Sequence, residues 1–467
     1  MAKPPLAPVV PRTGRPRHAP PRIALTLTAL ALAAVPLAAQ KPAPLVFDSY
    51  TLPNGLTVIL AEDHSAPVVA VDVTYNVGSR NEQPGRTGFA HLFEHMMFEG
   101  SAHVKKGEHM GMLEIAGSDG FNGSTIEDRT NYYEPLPSNR LNLGLWLEAD
   151  RMRSLDITDE KFHNQREAVK EERRLRVDNQ PYTKVIFEEG YKAIDSATCY
   201  PYSHSIIGSM ADLNAATTAD VQQFFKTYYA PNNATLVITG DFQPAEAKKL
   251  VAQYFGDIPR AETAPVGSCT PTFNAGARRE RVVDAKATLP AVMKYYTIPA
   301  YDSPDYPALE LLATILGRGQ SSRLNRALAR EQKVALATQV FVNPFGPRRG
   351  PGAFVFLAIT NNGVAVDTLE SKLSDQIAQL ATAGVSDDEL LKAKNLWRAQ
   401  AINERSRAMS LAQAIQRANL FLGSADRLDA DFDRYGAVTA GDIKRVAATY
   451  LRPDNSYTFI DSAEAAK

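Results

Sequence analysis

Apolar positions recur along this chain with two alternating periods, one matching strands and one matching helices. Residues 50–60 read as two strand segments around the turn Asn54-Gly55. Residues 68–75 alternate apolar with small or β-branched residues and predict a further strand. From 87 to 98 the apolar spacing becomes helical, and helices are also predicted over 141–154, 158–177, 219–228 and 244–255. A strand at 234–240 separates the last two.

Residues 258–277 are rich in Pro, Gly, Ser and Thr, which marks a linker. A comparable order then restarts. A strand at 292–298 precedes helices at 306–316 and 321–330, and strands follow around Val340 and over 354–359. Long helices at 366–383 and 387–419 and a strand at 457–460 complete the series. Two halves, 41–257 and 278–467, each mixing hairpins with helices, predict an α+β fold. The order of elements hints at a duplicated unit, with no residue-level repeat to match.

With 467 residues, two or more domains are expected, and a hydrophobic fraction of 44% with 22% charged residues suits soluble globular cores. A formal charge of -1 and the lack of a basic stripe give nucleic acid no foothold. The first forty residues differ. Lys3, Arg12, Arg15, Arg17 and Arg22 precede an apolar run at 23–34 and then small residues up to Ala39. That order predicts a secretory signal peptide over 1–40, hence export, to a periplasm in a two-membrane bacterium. A membrane anchor is the competing reading, but the run is short for a bilayer span, so the mature chain is expected to have none. The two cysteines, Cys199 and Cys269, are too few for a Cys-rich zinc site, and the sequence leaves their pairing open.

The chemistry concentrates in His91-Leu92-Phe93-Glu94-His95. Helical residues four apart share a face with Cβ atoms about 5–6 Å apart, so His91 and His95 can offer two imidazole nitrogens to one divalent metal. Glu94 then leaves the helix beside that metal, placed to act as a general base on water. This is the inverted HExxH signature. The plainer alternative, two unrelated His and a Glu, would leave polar groups without partners on a helix flanked by Phe89, Leu92, Phe93, Met96 and Met97. A third ligand has to come from elsewhere, and the predicted helix 158–177 carries Glu160, Glu167, Glu171 and Glu172. Glu172 shares a face with Phe162, Gln165 and Val169, while Glu171 lies about 100° round the helix and remains a candidate.

With these residues in place the chain resembles the pitrilysin family of zinc peptidases, which includes insulinase and the mitochondrial processing peptidases. The resemblance covers nearly the whole mature chain. It is carried by HxxEH at 91–95 and by Arg166-Glu167-Ala168-Val169-Lys170-Glu171-Glu172-Arg173. Asn54-Gly55-Leu56, Val77-Gly78-Ser79-Arg80, Ala230-Pro231-Asn232-Asn233-Ala234 and the stretch 121–132 add to it. It implies two similar α/β-sandwich halves, mostly antiparallel sheet covered by helices, assembled with a second chain as a clamshell. The half 41–257 would bind Zn2+ through His91, His95 and Glu172, with Glu94 as catalytic base. The half 278–467 would be its homologous partner domain. Asn122 would lie on a strand that pairs with the substrate backbone.

Two departures stand out. Family members often carry an acid seven residues before the Glu ligand, where this chain has Gln165. Complete members also carry an Arg and a Tyr seven apart in the C-terminal half, at positions that here fall on Ala329 and Leu336. Neither side chain can donate a hydrogen bond. The resemblance thus implies the zinc-binding subunit of a heterodimer acting on peptides, whose homologous partner supplies the Arg–Tyr pair. A homodimer, or a non-catalytic peptide-binding or scaffold subunit, is the alternative.

Overall fold

The computed structural model describes residues 42–265, 269, 276–344 and 349–463. The leader expected at 1–40 and part of the 258–277 linker lie outside the described residues. Among the described residues, eleven strands form two sheets. The first contains β1 (Asp48–Thr51), β2 (Thr57–Glu62), β3 (Val68–Tyr75), β4 (Asn122–Thr125), β5 (Thr130–Pro137) and β6 (Ala234–Gly240), in the order β1-β2-β6-β3-β5-β4. The second contains β7 (Arg278–Val283), β8 (Ala291–Ile298), β9 (Ala335–Val342), β10 (Gly352–Thr360) and β11 (Ser456–Ser462), in the order β7-β11-β8-β10-β9.

Without β1 the two orders are the same: first strand, last, second, fourth, third. Each sheet is antiparallel except where its first strand meets its last, β2 with β6 and β7 with β11. The duplicated unit hinted at by element order is therefore present in topology. The fold is α+β with two similar halves.

One face of the first sheet packs on helices of its own half. Among them are α1 (Phe89–Met96), α2 (Glu108–Ala116), α3 (Leu141–Ser154) and α4 (Asp159–Arg173), together with the helices Thr218–Tyr228 and Pro244–Phe255. Val71, Val73 and Tyr75 of β3 meet Phe93, Leu145, Phe162, Val221 and Val251 there. The second sheet repeats this with Leu309, Leu312, Leu373, Ile377 and Val446.

The opposite face of each sheet is covered from the other half. Residues Val185, Tyr191 and Ala193, from the first half, lie on Met293, Tyr295, Val355 and Phe459. In return the helix Ala408–Leu422 places Leu411, Ala412 and Ile415 on Ile59, Ala70 and Val237. Gln416, on the same helix, is buried against the sheet. Its Nε2 donates to the Asp72 carbonyl (3.0 Å), to Asp72 Oδ1 (3.1 Å) and to the Thr235 carbonyl (2.9 Å).

This helix corrects one expectation. The single helix predicted at 387–419 is two, Asp387–Arg405 and Ala408–Leu422. Ser406 ends the first by donating its Oγ to the Asn403 carbonyl (2.9 Å), and Arg407 is extended with φ -127°. The apolar periodicity runs on through the break because both pieces bury a face, each against a different layer. The helix predicted at 321–330 is likewise a wide π turn, Asn325–Glu331. Cys199 and Cys269 are joined as a disulfide, with Cα atoms 5.4 Å apart.

Replacing Gln416 by Ala should lower stability by about 1–3 kcal/mol, because it leaves buried acceptors of two strands without their donor. Urea unfolding of the disulfide-intact protein measures this.

Candidate metal centre

α1 is short and tightly anchored. Gly88 precedes it with φ 88°, a conformation that favours glycine, and turns the chain into the helix. Glu82 caps the first turn, accepting from the Gly88 N–H and the Ala90 N–H, both at 2.8 Å. A carboxylate there also suits the positive end of the helix dipole. Phe89, Ala90, Leu92, Phe93 and Met96 are buried, so the remaining face, carrying His91 and His95, has a fixed direction. It points at α4, whose start is capped by Thr158 accepting from the Lys161 N–H.

The structure brings His91, His95 and Glu172 together, and each offers a ligand atom within 4.8 Å of the others. Glu172 Oε2 lies 3.3 Å from His95 Nε2 and 3.6 Å from His91 Nε2. The two imidazole rings stand edge to face with centroids 4.9 Å apart. Arg176 Nη1 holds the other oxygen, Glu172 Oε1, at 3.0 Å. Glu171 turns outward, 57% exposed and paired with Arg174 at 2.8 Å. Glu167 is bound by Lys170 at the surface, and Glu160 is exposed.

The three groups hold their protons differently. Burial, then the charge of His95, pushes His91 down to about 4, so its imidazole is neutral. Burial pulls His95 down as well, but the hydrogen bond and charge of Glu172 outweigh it and raise its pKa. The same bond, against some burial, lowers that of Glu172. Gln165, the departure noted in the sequence, has a definite place. Its Nε2 donates to Glu99 Oε1 (2.7 Å), which turns its Oε1 toward His95 Nδ1 (3.3 Å). An acceptor there holds a proton on Nδ1, so that Nε2 is the nitrogen His95 would offer to a metal. Lys106 Nζ pairs with Glu99 Oε2 at 2.8 Å. Two imidazole nitrogens and one carboxylate oxygen match the donors of a catalytic zinc site, with one position left for water.

Glu94 projects beside this cluster. Thr125 Oγ1 donates to its Oε2 at 2.6 Å, and burial raises its pKa against the effects of Thr125, His95 and Arg129. β4 crosses directly over it, and a Cβ on Gly123 would stand 2.8 Å from Glu94 Cγ, so only glycine fits there. Asn122 is exposed at the start of β4, and its Oδ1 accepts from the Gly123 N–H (2.8 Å). Among the described residues β4 pairs with β5 alone, leaving its other edge open. Thr125, Gly123 and Glu99 were not among the candidates read from sequence. Thr125 and Gly123 stand beside Asn122 within residues 121–132, but no local spacing ties them or Glu99 to the helix they serve.

The chain belongs to peptidase family M16, the insulinase family. Residues 57–201 match "Insulinase (Peptidase family M16)", and residues 215–396 match "Peptidase M16 inactive domain". The first span contains the cluster and Glu94. Zinc protease PqqE of Helicobacter pylori is 30% identical over 88% of this chain and 91% of its own. A probable mitochondrial-processing peptidase subunit beta of Arabidopsis thaliana is 24% identical over 86% of this chain and 75% of its own. A crystal structure of a protease from Helicobacter pylori superposes with a TM-score of 0.84 and 27% identity, covering 90% of this chain and all of that one. The periplasmic protease PqqL of Escherichia coli shares the fold, with a TM-score of 0.72, 17% identity and 48% of its chain covered.

Gln165→Ala and Glu99→Ala should each weaken zinc binding by about 10–100-fold, measured by chelator competition. Zinc held by this cluster would require a neutral His95, whose pKa is raised. Affinity should therefore fall as the pH drops through that raised value, starting at a higher pH than for an ordinary imidazole.

Proposed function

We propose that this chain is a secreted zinc metalloendopeptidase that hydrolyses extended or unfolded oligopeptides and is the catalytic subunit of a heterodimer. One observation carries the reading: two imidazole Nε2 atoms and the Glu172 carboxylate converge beside a half-buried Glu94, under a strand with an open edge.

Bound by His91, His95 and Glu172, zinc would supply Lewis acidity, easing the ionisation of water and polarising the scissile carbonyl. Glu94 takes the proton from the attacking water and delivers it to the departing amine as the C–N bond breaks. Thr125 holds the carboxylate in position for both transfers. Backbone groups on the open edge of β4, from Asn122 on, bind the peptide as an added strand, which gives affinity with little demand on its sequence.

Export is supported by the basic-apolar leader at 1–40. It is also supported by a disulfide, which persists in oxidising compartments. No helix among the described residues is long and apolar enough to cross a membrane. The need for a partner is supported by the second half. Ala329 lies in the turn Asn325–Glu331, and Leu336 is exposed near the start of β9. Neither can hold a substrate carbonyl, so a homologous chain bearing an Arg and a Tyr would complete the clamshell.

Glu94→Gln should retain zinc and lose roughly 10²–10⁴-fold in turnover of an unfolded peptide. Loss of metal in this variant would contradict the base role. If the zinc-loaded chain cleaves nothing even with its partner present, it is a peptide-binding or scaffold subunit. In the exporting cell, affinity purification should recover a homologue that lacks HxxEH; recovery of this chain alone as a dimer would favour a homodimer.

A further inference from the structure

The edge strand β4 has two faces, and only one belongs to the metal centre. Gly123 and Thr125 look toward Glu94. Side chains alternate along a strand, so Asn122 and Ser124 look the opposite way, beside their cross-strand neighbours Tyr133 and Asn131. On that side lies a cavity of about 380 Å³, between the sheet and the helix Ala408–Leu422. Ser124, Asn131 and Tyr133 line it from the sheet, Gln413 and Arg417 from the helix, and Arg129 from the turn joining β4 to β5. A peptide added along β4 would present successive side chains alternately to Glu94 and to this cavity. The side chain beside Ser124 would start roughly 5 Å from it, within reach of the walls.

The cavity is chemically one-sided. Its charged lining residues are Arg129 and Arg417, and no described lining residue is a carboxylate. Carboxylates stand behind the walls with oxygens already engaged, and Glu310, which accepts from Tyr435, adds its charge to that of Glu404 at Arg417. Glu404 Oε2 accepts from Arg417 Nη2 at 2.8 Å. Asp72 accepts from Thr74 Oγ1 (2.9 Å), Asn131 Nδ2 (2.9 Å) and Gln416 Nε2 (3.1 Å). Arg129 Nη1 is fixed against the sheet by the Ser124 carbonyl (2.6 Å), Ser124 Oγ (3.0 Å) and Asn131 Oδ1 (2.7 Å).

We propose that this cavity is a substrate subsite that selects an acidic side chain at the position beside Ser124, through Arg129 and Arg417. A carboxylate there gains charge-assisted hydrogen bonds, a carboxamide gains weaker ones, and an ammonium is repelled by both guanidinium groups. The proposal rests on strand addition at β4 and narrows the substrates to peptides with an acidic residue in register.

The test is fluorescence anisotropy of the full chain carrying Glu94→Gln, assembled with its partner, with extended peptides that differ at one scanned position: Glu, Gln, Ala or Lys. At one register position Glu should bind at least about tenfold tighter than Lys, with Gln between them. Gln413→Glu places a carboxylate in the cavity while keeping both arginines, and it should erode or reverse this preference; Arg129→Gln should reduce it. A wild-type preference that both variants leave untouched, or no preference at any position, overturns the subsite. If peptides bind with the acidic preference but the zinc-loaded wild type with its partner cleaves none, the subsite stands and the peptidase reading falls. Cleavage without the preference overturns the subsite and leaves the peptidase reading standing, and failure of every peptide to bind overturns both.

Discussion

A β-sheet has two faces, and neither sheet of this protein covers both of its own. Each half supplies helices for one face and leaves the other bare. The first half closes the second sheet with the segment around Val185 and Tyr191, and the second half closes the first sheet with the helix Ala408–Leu422. Because the backs of both sheets carry apolar side chains, leaving either uncovered would forfeit about 25 cal/mol for each Å² of apolar surface. The exchange also binds polar groups. Gln416 reaches through to backbone carbonyls of β3 and β6, which joins the two halves by direction as well as by burial.

The candidate metal centre depends on this frame. α1 is held from below by its five buried apolar residues and at its start by Glu82, so His91, Glu94 and His95 have little freedom. α4 is seated on the same core through Phe162 and Val169, which aims Glu172 at the two imidazoles. Above them, β4 comes close enough to Glu94 to require Gly123. Precision of this kind comes from side chains locked by packing and by a surrounding layer of hydrogen bonds.

How much of this was legible in the sequence depended on the range of the interaction. The His pair and Glu94 lie within one turn of helix, and local spacing alone placed them on a common face. Periodicity left Glu171 open beside Glu172; only the packing of α4 on α1 turns one inward and the other out. Gln165 read as a lost charge, yet the charge is present one residue further out, on Glu99, whose position 66 residues upstream gives no local sign. The helix expected at 387–419 failed for the opposite reason. Its apolar pattern is continuous, but a pattern cannot show that the faces before and after Ser406 meet different layers. The helices Arg427–Ala437 and Ala440–Tyr450 were also missing from the expectation.

The crossed covering has an evolutionary side. Two units of the same strand order, each finishing the other, behave as a pair of complementing fragments that happen to share one chain. Sharing one chain raises the effective concentration of each half for the other. A gene split between them would still encode two pieces with matching unfinished sheets, each insoluble in prospect without the other. The same economy, carried one level up, is what an enzyme divided between two homologous chains would look like.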